Sequence, residues 1–199
     1  MMCMRNILVS LVLWYSFTLP SYGELLFDWS KVTVPREVQL KCETRAKNIV
    51  LKFTTKKYAP EGSPADFFTV KDKITIVFHE ELYDGDRRAM GLYDSPDAYE
   101  SVIELDLSLH KKPALFDIFS YHELGHAYYE IIKYEIEHEK SWDEEHIAIV
   151  AKEAVLLKEL GTKNVPEDIY HELMKCYENP KKEAIYYQRG PILRKWWLR

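Results

Sequence analysis

Between Pro113 and Pro166 the chain has no proline and only two glycines, Gly125 and Gly161. So long a run without a breaker is readily accommodated as helix, but it exceeds the length of one ordinary globular helix, so it must fold back on itself. The break falls at Lys140-Ser141. Ser141-Trp142-Asp143-Glu144 has a serine followed three residues later by an acid, the pattern of a capping box. The sequence therefore predicts two antiparallel helices, at 114–139 and 142–160, with a tight turn between them and Gly161 ending the second. Lys111-Lys112-Pro113 opens the first, because proline suits an initial turn whose N–H has no partner anyway. A further short helix is predicted over 167–177, after Pro166.

Upstream, Val38, Leu40, Ala46, Val50, Leu51 and Phe53 recur at helical spacing among charges, which predicts a long amphipathic helix over 35–56. Pro60, Gly62 and Pro64 mark a loop, and the β-branched run at 73–79 reads as a strand. Asp84-Gly85-Asp86 turns the chain. Gly91-Leu92-Tyr93-Asp94 then pairs, across a loop containing Pro96, with a strand at 101–108. In that strand Val102, Glu104, Asp106 and Ser108 alternate with Ile103, Leu105 and Leu107, which reads as an edge or near-edge strand with one wet face. The expected class is α+β: a small antiparallel or mixed sheet packed on a long helix, then an antiparallel helix hairpin and a helical C-terminal part.

A hydrophobic content of 47%, with 14% aromatics, is enough for one core, so residues 24–199 are expected to form a single domain. The net charge of −5, with both signs mixed along the chain, provides no cationic surface for nucleic acid. Residues 1–23 read as a signal peptide: Arg5 precedes an apolar run at 7–19, and Ser21 and Gly23 flank Tyr22 at the expected cleavage site after Gly23. The run is too short for a membrane span of about 20 residues. Export to a secreted or periplasmic location follows. Cleavage removes Cys3 and leaves Cys42 and Cys176, which could form one disulfide in an oxidising compartment. The tail at 189–199 joins four cations to Trp196 and Trp197, and docking on its own domain is favoured over membrane contact.

The chemistry is carried by His122-Glu123-Leu124-Gly125-His126. Histidines at i and i+4 lie one turn apart on one helix face, the separation two imidazoles need to reach one zinc ion. Glu123 sits beside that ion rather than on it, where it can take a proton from an attacking water. Gly125 removes bulk where another element can pack closely. A hydrolytic zinc site uses three protein ligands, and Glu144, Glu145, His146 and Glu153 compete for the third place. Counted from a turn near residue 140, His126 lies about 21 Å along the hairpin at about 1.5 Å per residue, and Glu153 is about as far along the returning helix. Glu153 also shares its face with Ile149, Val150, Leu157 and Leu160, where an unpaired acid calls for a compensating cation. Glu153 is therefore the expected third ligand. A first helix ending soon after Tyr134 would favour Glu144 or Glu145 instead. Glu145 otherwise reads as part of a solvated stripe, and His79, His110, His138 and His146 read as surface or core residues.

The strand, the helix bearing the HExxH motif and a glutamate on the following helix resemble a minimal gluzincin metallopeptidase over residues 73–160. The resemblance implies a zincin-like fold, one Zn2+ held by His122, His126 and Glu153, Glu123 as general base and acid, and a peptide or protein substrate paired along the strand at 101–108. The chain departs from the fuller gluzincin pattern in lacking an Asn-Glu-x-x-x-Asp signature around Glu153. Tyr128, Tyr170, His171, Tyr186 and Tyr187 are unranked candidates for an oxyanion donor. Two other readings use the same motif: a catalytically silent zincin scaffold that binds a protein partner, and a metal-dependent amidase acting on a non-protein substrate.

Overall fold

The computed structural model describes residues 24–60, 73–97, 99–136, 141–178 and 185–199. The expected signal peptide and His138 lie outside the described residues. In chain order the elements are β1 (Glu24–Asp28), α1 (Arg36–Phe53), β2 (Lys73–His79), β3 (Leu82–Asp84), β4 (Arg87–Ala89), β5 (Gly91–Asp97), β6 (Glu100–Asp106), α2 (Pro113–Ile136), α3 (Trp142–Asn164), α4 (Glu167–Tyr177) and α5 (Ile185–Trp197). The class is α+β, with a small mixed sheet. Ser141 caps α3 as its sequence predicts: its Oγ accepts the Glu144 N–H, while the Glu144 carboxylate accepts the Ser141 N–H at 2.9 Å. Gly161 interrupts α3 at φ 60 and ψ 177, a backbone conformation that essentially only glycine adopts.

The main sheet runs β1-β2-β6-β5. β2 is parallel to both β1 and β6, whereas β5 is antiparallel to β6. β6, expected at or near an edge, is therefore one strand in from it, and β5 is the edge on the site's side. Alternation in the sequence reports which face of a strand is covered, and it carries no information about lateral neighbours. The covered face is as expected: Ile74, Ile76 and Phe78 of β2 and Ile103 and Leu105 of β6 are all exposed by 1% or less.

These side chains share one core with Phe53 of α1 and Phe116 and Tyr121 of α2. Phe53 and Tyr121 stack with centroids 4.6 Å apart, and Phe78 lies 6.4 Å from Phe116. Full burial of such side chains contributes about 1.5–3 kcal/mol each, so the sheet anchors α2 firmly. Arg45 of α1 adds a two-pronged contact to Asp117 of α2 at 2.9 and 2.7 Å. Burial raises the Asp117 carboxyl, and the guanidinium opposes that shift.

A buried carboxylate joins the β3–β4 hairpin to the sheet. Asp106 accepts from the Leu82 N–H at 3.2 Å, the Ser108 N–H at 2.9 Å and Arg88 Nη2 at 3.1 Å. Arg88 also lies 4.8 Å over the Trp197 ring, and Trp197 Nε1 donates to Ser108 Oγ at 2.9 Å. Lys112 Nζ donates to the carbonyls of Trp196 and Trp197 at 2.7 and 2.6 Å, closing the C-terminal end of α5. With Leu193 and Trp196 also buried, the basic tail docks on its own domain. Among the described residues no helix is long and apolar enough to cross a membrane. Cys42 and Cys176 are both buried free thiols, so no disulfide joins them.

Candidate metal centre

His122 and His126 project from α2 with ring centroids 4.9 Å apart. His146 comes from α3, with its ring 5.3 Å from His122 and 4.7 Å from His126. One ligand atom of each lies within 4.8 Å of the others, and all three residues are buried. Three imidazoles this close can hold a metal ion. Burial, aided by Arg189 and the other two histidines, holds the His122 ring well below its ordinary pKa, so it remains a neutral potential ligand.

Glu153, the expected third donor, is not in this group. Its Oε1 lies 2.7 Å from His122 Nδ1, while Oε2 accepts from the Tyr177 hydroxyl at 2.8 Å and lies 3.5 Å from Arg189 Nη1. The difference comes from the register of the hairpin. Contacts across the hairpin pair His122 with Glu153 and Gly125 with Ile149. His126 consequently has His146 and Glu145 beside it, while the Glu153 carboxylate contacts His122. His146 and Glu153 are two turns apart on one face of α3, so helical phase alone does not separate them.

Glu145, expected on a solvated stripe, is half-buried and places Oε1 2.5 Å from His126 Nδ1. Glu144, the other carboxylate considered, is exposed in the capping box. A carboxylate that takes an imidazole Nδ1–H fixes the ring's tautomer and leaves the lone pair on Nε2. Glu145 thus orients His126 with Nε2 as the donor, while His122 Nδ1 is set between the Glu153 carboxylate and Arg189 Nη2, each at 2.7 Å. Tyr93 of β5 stacks on His126 with centroids 5.7 Å apart and planes 23° apart.

Two glycines make this packing possible. A Cβ on Gly125 would lie 2.8 Å from Ile149 Cγ1, so a side chain there would push α2 from α3. A Cβ on Gly91 would lie 2.6 Å from Glu123 Oε1, so β5 comes close to the carboxylate only because Gly91 has no side chain. Glu123 itself is 6% exposed, and burial pushes its carboxyl up to about 7. It lines a cleft of about 780 Å³ together with His122, Met90, Arg88, Arg189 and Leu193. The cleft lies between the β3–β4 hairpin and α5.

The sequence-derived trio of His122, Glu123 and His126 is therefore assembled at one place. His146, one of the four groups weighed for the third place, is the one that joins the two histidines of α2, and two contributors were not anticipated: Tyr177 and Arg189. The candidate oxyanion donors are elsewhere among the described side chains: Tyr128 is buried against Phe53 and Tyr129, and Tyr170 packs on His171 in α4. The side chains of Tyr186 and Tyr187 are not among those described. His79 contacts Glu104 at 2.9 Å and His110 contacts the Leu107 carbonyl at 2.6 Å, so neither belongs to the cluster. No protein-family model, curated protein or solved structure matches this chain.

Proposed function

We infer that this chain is a zincin-like, zinc-dependent hydrolase of peptide bonds, with His122, His126 and His146 as the metal ligands and Glu123 as the general base. The observation that carries the reading is the convergence of three buried imidazoles beside a buried carboxylate, Glu123, which lines a cleft together with His122. Three neutral histidines form a donor set suited to zinc with one position left for water or substrate. When bound, such an ion supplies Lewis acidity, making water acidic enough to react near neutral pH.

The protein's own groups divide the remaining work. Glu123, with its carboxyl pushed up to about 7, is poised to accept a proton from the attacking water and pass it to the leaving amine. Glu153 and Glu145 hold the α2 histidines in orientation. The outer edge of β5, rather than β6, is the strand that an extended peptide can join, and Gly91 brings that edge against Glu123. A substrate outside the cell agrees with the export expected from residues 1–23.

Glu123→Gln tests the assignment. The variant should bind metal like the wild type, while cleavage of an internally quenched peptide falls by about 10²- to 10⁴-fold. Equal turnover in both proteins would remove Glu123 from the chemistry and favour the silent scaffold. Turnover of a non-protein amide with no peptide cleavage would favour the amidase.

A further inference from the structure

We propose that Arg189 is a catalytic residue of this site, donating to the substrate carbonyl oxygen as negative charge builds on it. The proposal rests on the hydrolase reading and supplies the group that reading still needs. Acyl transfer to water requires a base for the proton and a donor for the developing oxyanion, and the second effect is usually the larger.

Arg189 comes from α5, an element remote in sequence from the HExxH helix, yet it is 2% exposed and lines the same cleft as His122 and Glu123. Its Nη2 is 2.7 Å from Nδ1 and 3.2 Å from Nε2 of His122, and its Nη1 is 3.5 Å from Glu153 Oε2, so the guanidinium is held against the cluster. Among the described side chains lining the cleft, it is the cation in contact with the histidine cluster. The other candidates are held away from the histidines, Arg88 by Asp106 and Glu81 and the Trp197 N–H by Ser108, whereas the partners of Arg189, His122 and Glu153, belong to the site itself. Tyr177 donates to Glu153, and the Tyr93 hydroxyl faces Ser101 at 3.4 Å. A planar guanidinium remains charged throughout the accessible pH range and suits an oxygen that becomes anionic.

The step balances within the substrate, one water and Glu123. The water oxygen bonds to the carbonyl carbon as Glu123 takes a water proton, and the carbonyl π pair moves onto oxygen, where an Arg189 N–H donates. Return of that pair breaks the C–N bond. The departing pair stays on nitrogen, which receives the proton from Glu123.

The test uses the metal-loaded full chain and its Arg189→Gln and Arg189→Lys variants. Three quantities are read: metal stoichiometry, kcat and KM on a quenched peptide, and inhibition by a phosphonamidate peptide whose tetrahedral anion mimics the oxyanion. Arg189→Gln should retain stoichiometric metal and lose about 10²- to 10³-fold in kcat with KM little changed. Phosphonamidate inhibition should weaken by the same factor as kcat/KM. Arg189→Lys keeps the charge without the fork and should show the same pattern with a smaller loss, which covers the case of a glutamine variant that does not fold. Because Arg189 also neighbours Glu153, the pair Glu153→Gln and Glu153→Gln/Arg189→Gln completes the experiment, and the double variant should be slower than the single. Unchanged kcat, loss of metal in proportion to activity, or a double variant equal to Glu153→Gln would each overturn the proposal. Wild-type turnover with unaffected variants defeats Arg189 alone, whereas a metal-loaded wild type that cleaves no peptide defeats the hydrolase reading and this role with it.

Discussion

Gly125→Ala should weaken metal binding without touching a ligand. The added Cβ would lie 2.8 Å from Ile149 Cγ1 and 3.0 Å from both Cδ1 and Cγ2. Ordinary contact begins at 3.4 Å, so α2 and α3 must separate by about 0.6 Å. The Ile149 side chain is β-branched and meets the new carbon with three atoms, so rotation about one bond does not relieve the overlap. Overpacking of this kind costs about 1–3 kcal/mol. The separation moves α2, which carries His122 and His126, away from α3, which carries His146, so metal affinity should fall about tenfold or more, since metal geometry tolerates about 0.2 Å. Chelator competition gives the affinity, and denaturant unfolding of the metal-free chain gives the stability. Ile149→Ala alone should destabilise by about 2–5 kcal/mol, whereas Gly125→Ala/Ile149→Ala should be less unstable than the sum by about 1 kcal/mol or more. Additive losses, or a Gly125→Ala protein with wild-type affinity, would refute the close-packing argument.

His146→Ala should abolish stoichiometric metal binding, while Glu153→Gln and Tyr177→Phe should lower affinity by about 10- to 100-fold and retain one ion at saturation. The opposite ranking would make Glu153 the third ligand. Burial pushes the Cys42 thiol up to about 11 from an ordinary 9.0. The folded state therefore holds this proton more tightly than the unfolded state, and the resulting stability is complete below pH 9 and lost as pH rises towards 11. The loss is about 2–3 kcal/mol in unfolding experiments, and it should vanish in Cys42→Ala. Equal pH slopes for the two proteins would count against it.

The parts of the site that are local in sequence were legible. The i,i+4 histidines, the adjacent glutamate, the Ser141 capping box and the Gly161 break all depend on spacings within one or two turns. Strand β2 and helix α4 follow from a β-branched run and from the residues after Pro166 in the same way. The third histidine depended on a different quantity, the position of the hairpin turn. No glycine or proline marks that turn, and a shift of about three residues moves one element past the other by nearly a helical turn. Such a shift exchanges Glu153 for His146 beside His126. Strand β1 is a short segment with no sustained alternation, and its parallel pairing to β2 requires α1 to cross between them. Arg189 is one cation in a basic, tryptophan-containing tail, and it reaches the cleft through tertiary contacts remote in sequence, among them the capping of α5 by Lys112 and the packing of Trp197 against Arg88.

The three imidazoles are shared between two helices, so an ion held by them is also a cross-link, fastening α2 to α3 across a loop that the unfolded chain leaves open. Affinity and thermal resistance then become one measurement: free ion at about a thousand times its dissociation constant adds about 4 kcal/mol to the folded state. A chelator should act on this protein as a mild denaturant, and the midpoint of its melting curve should report how much of the ion its surroundings contain.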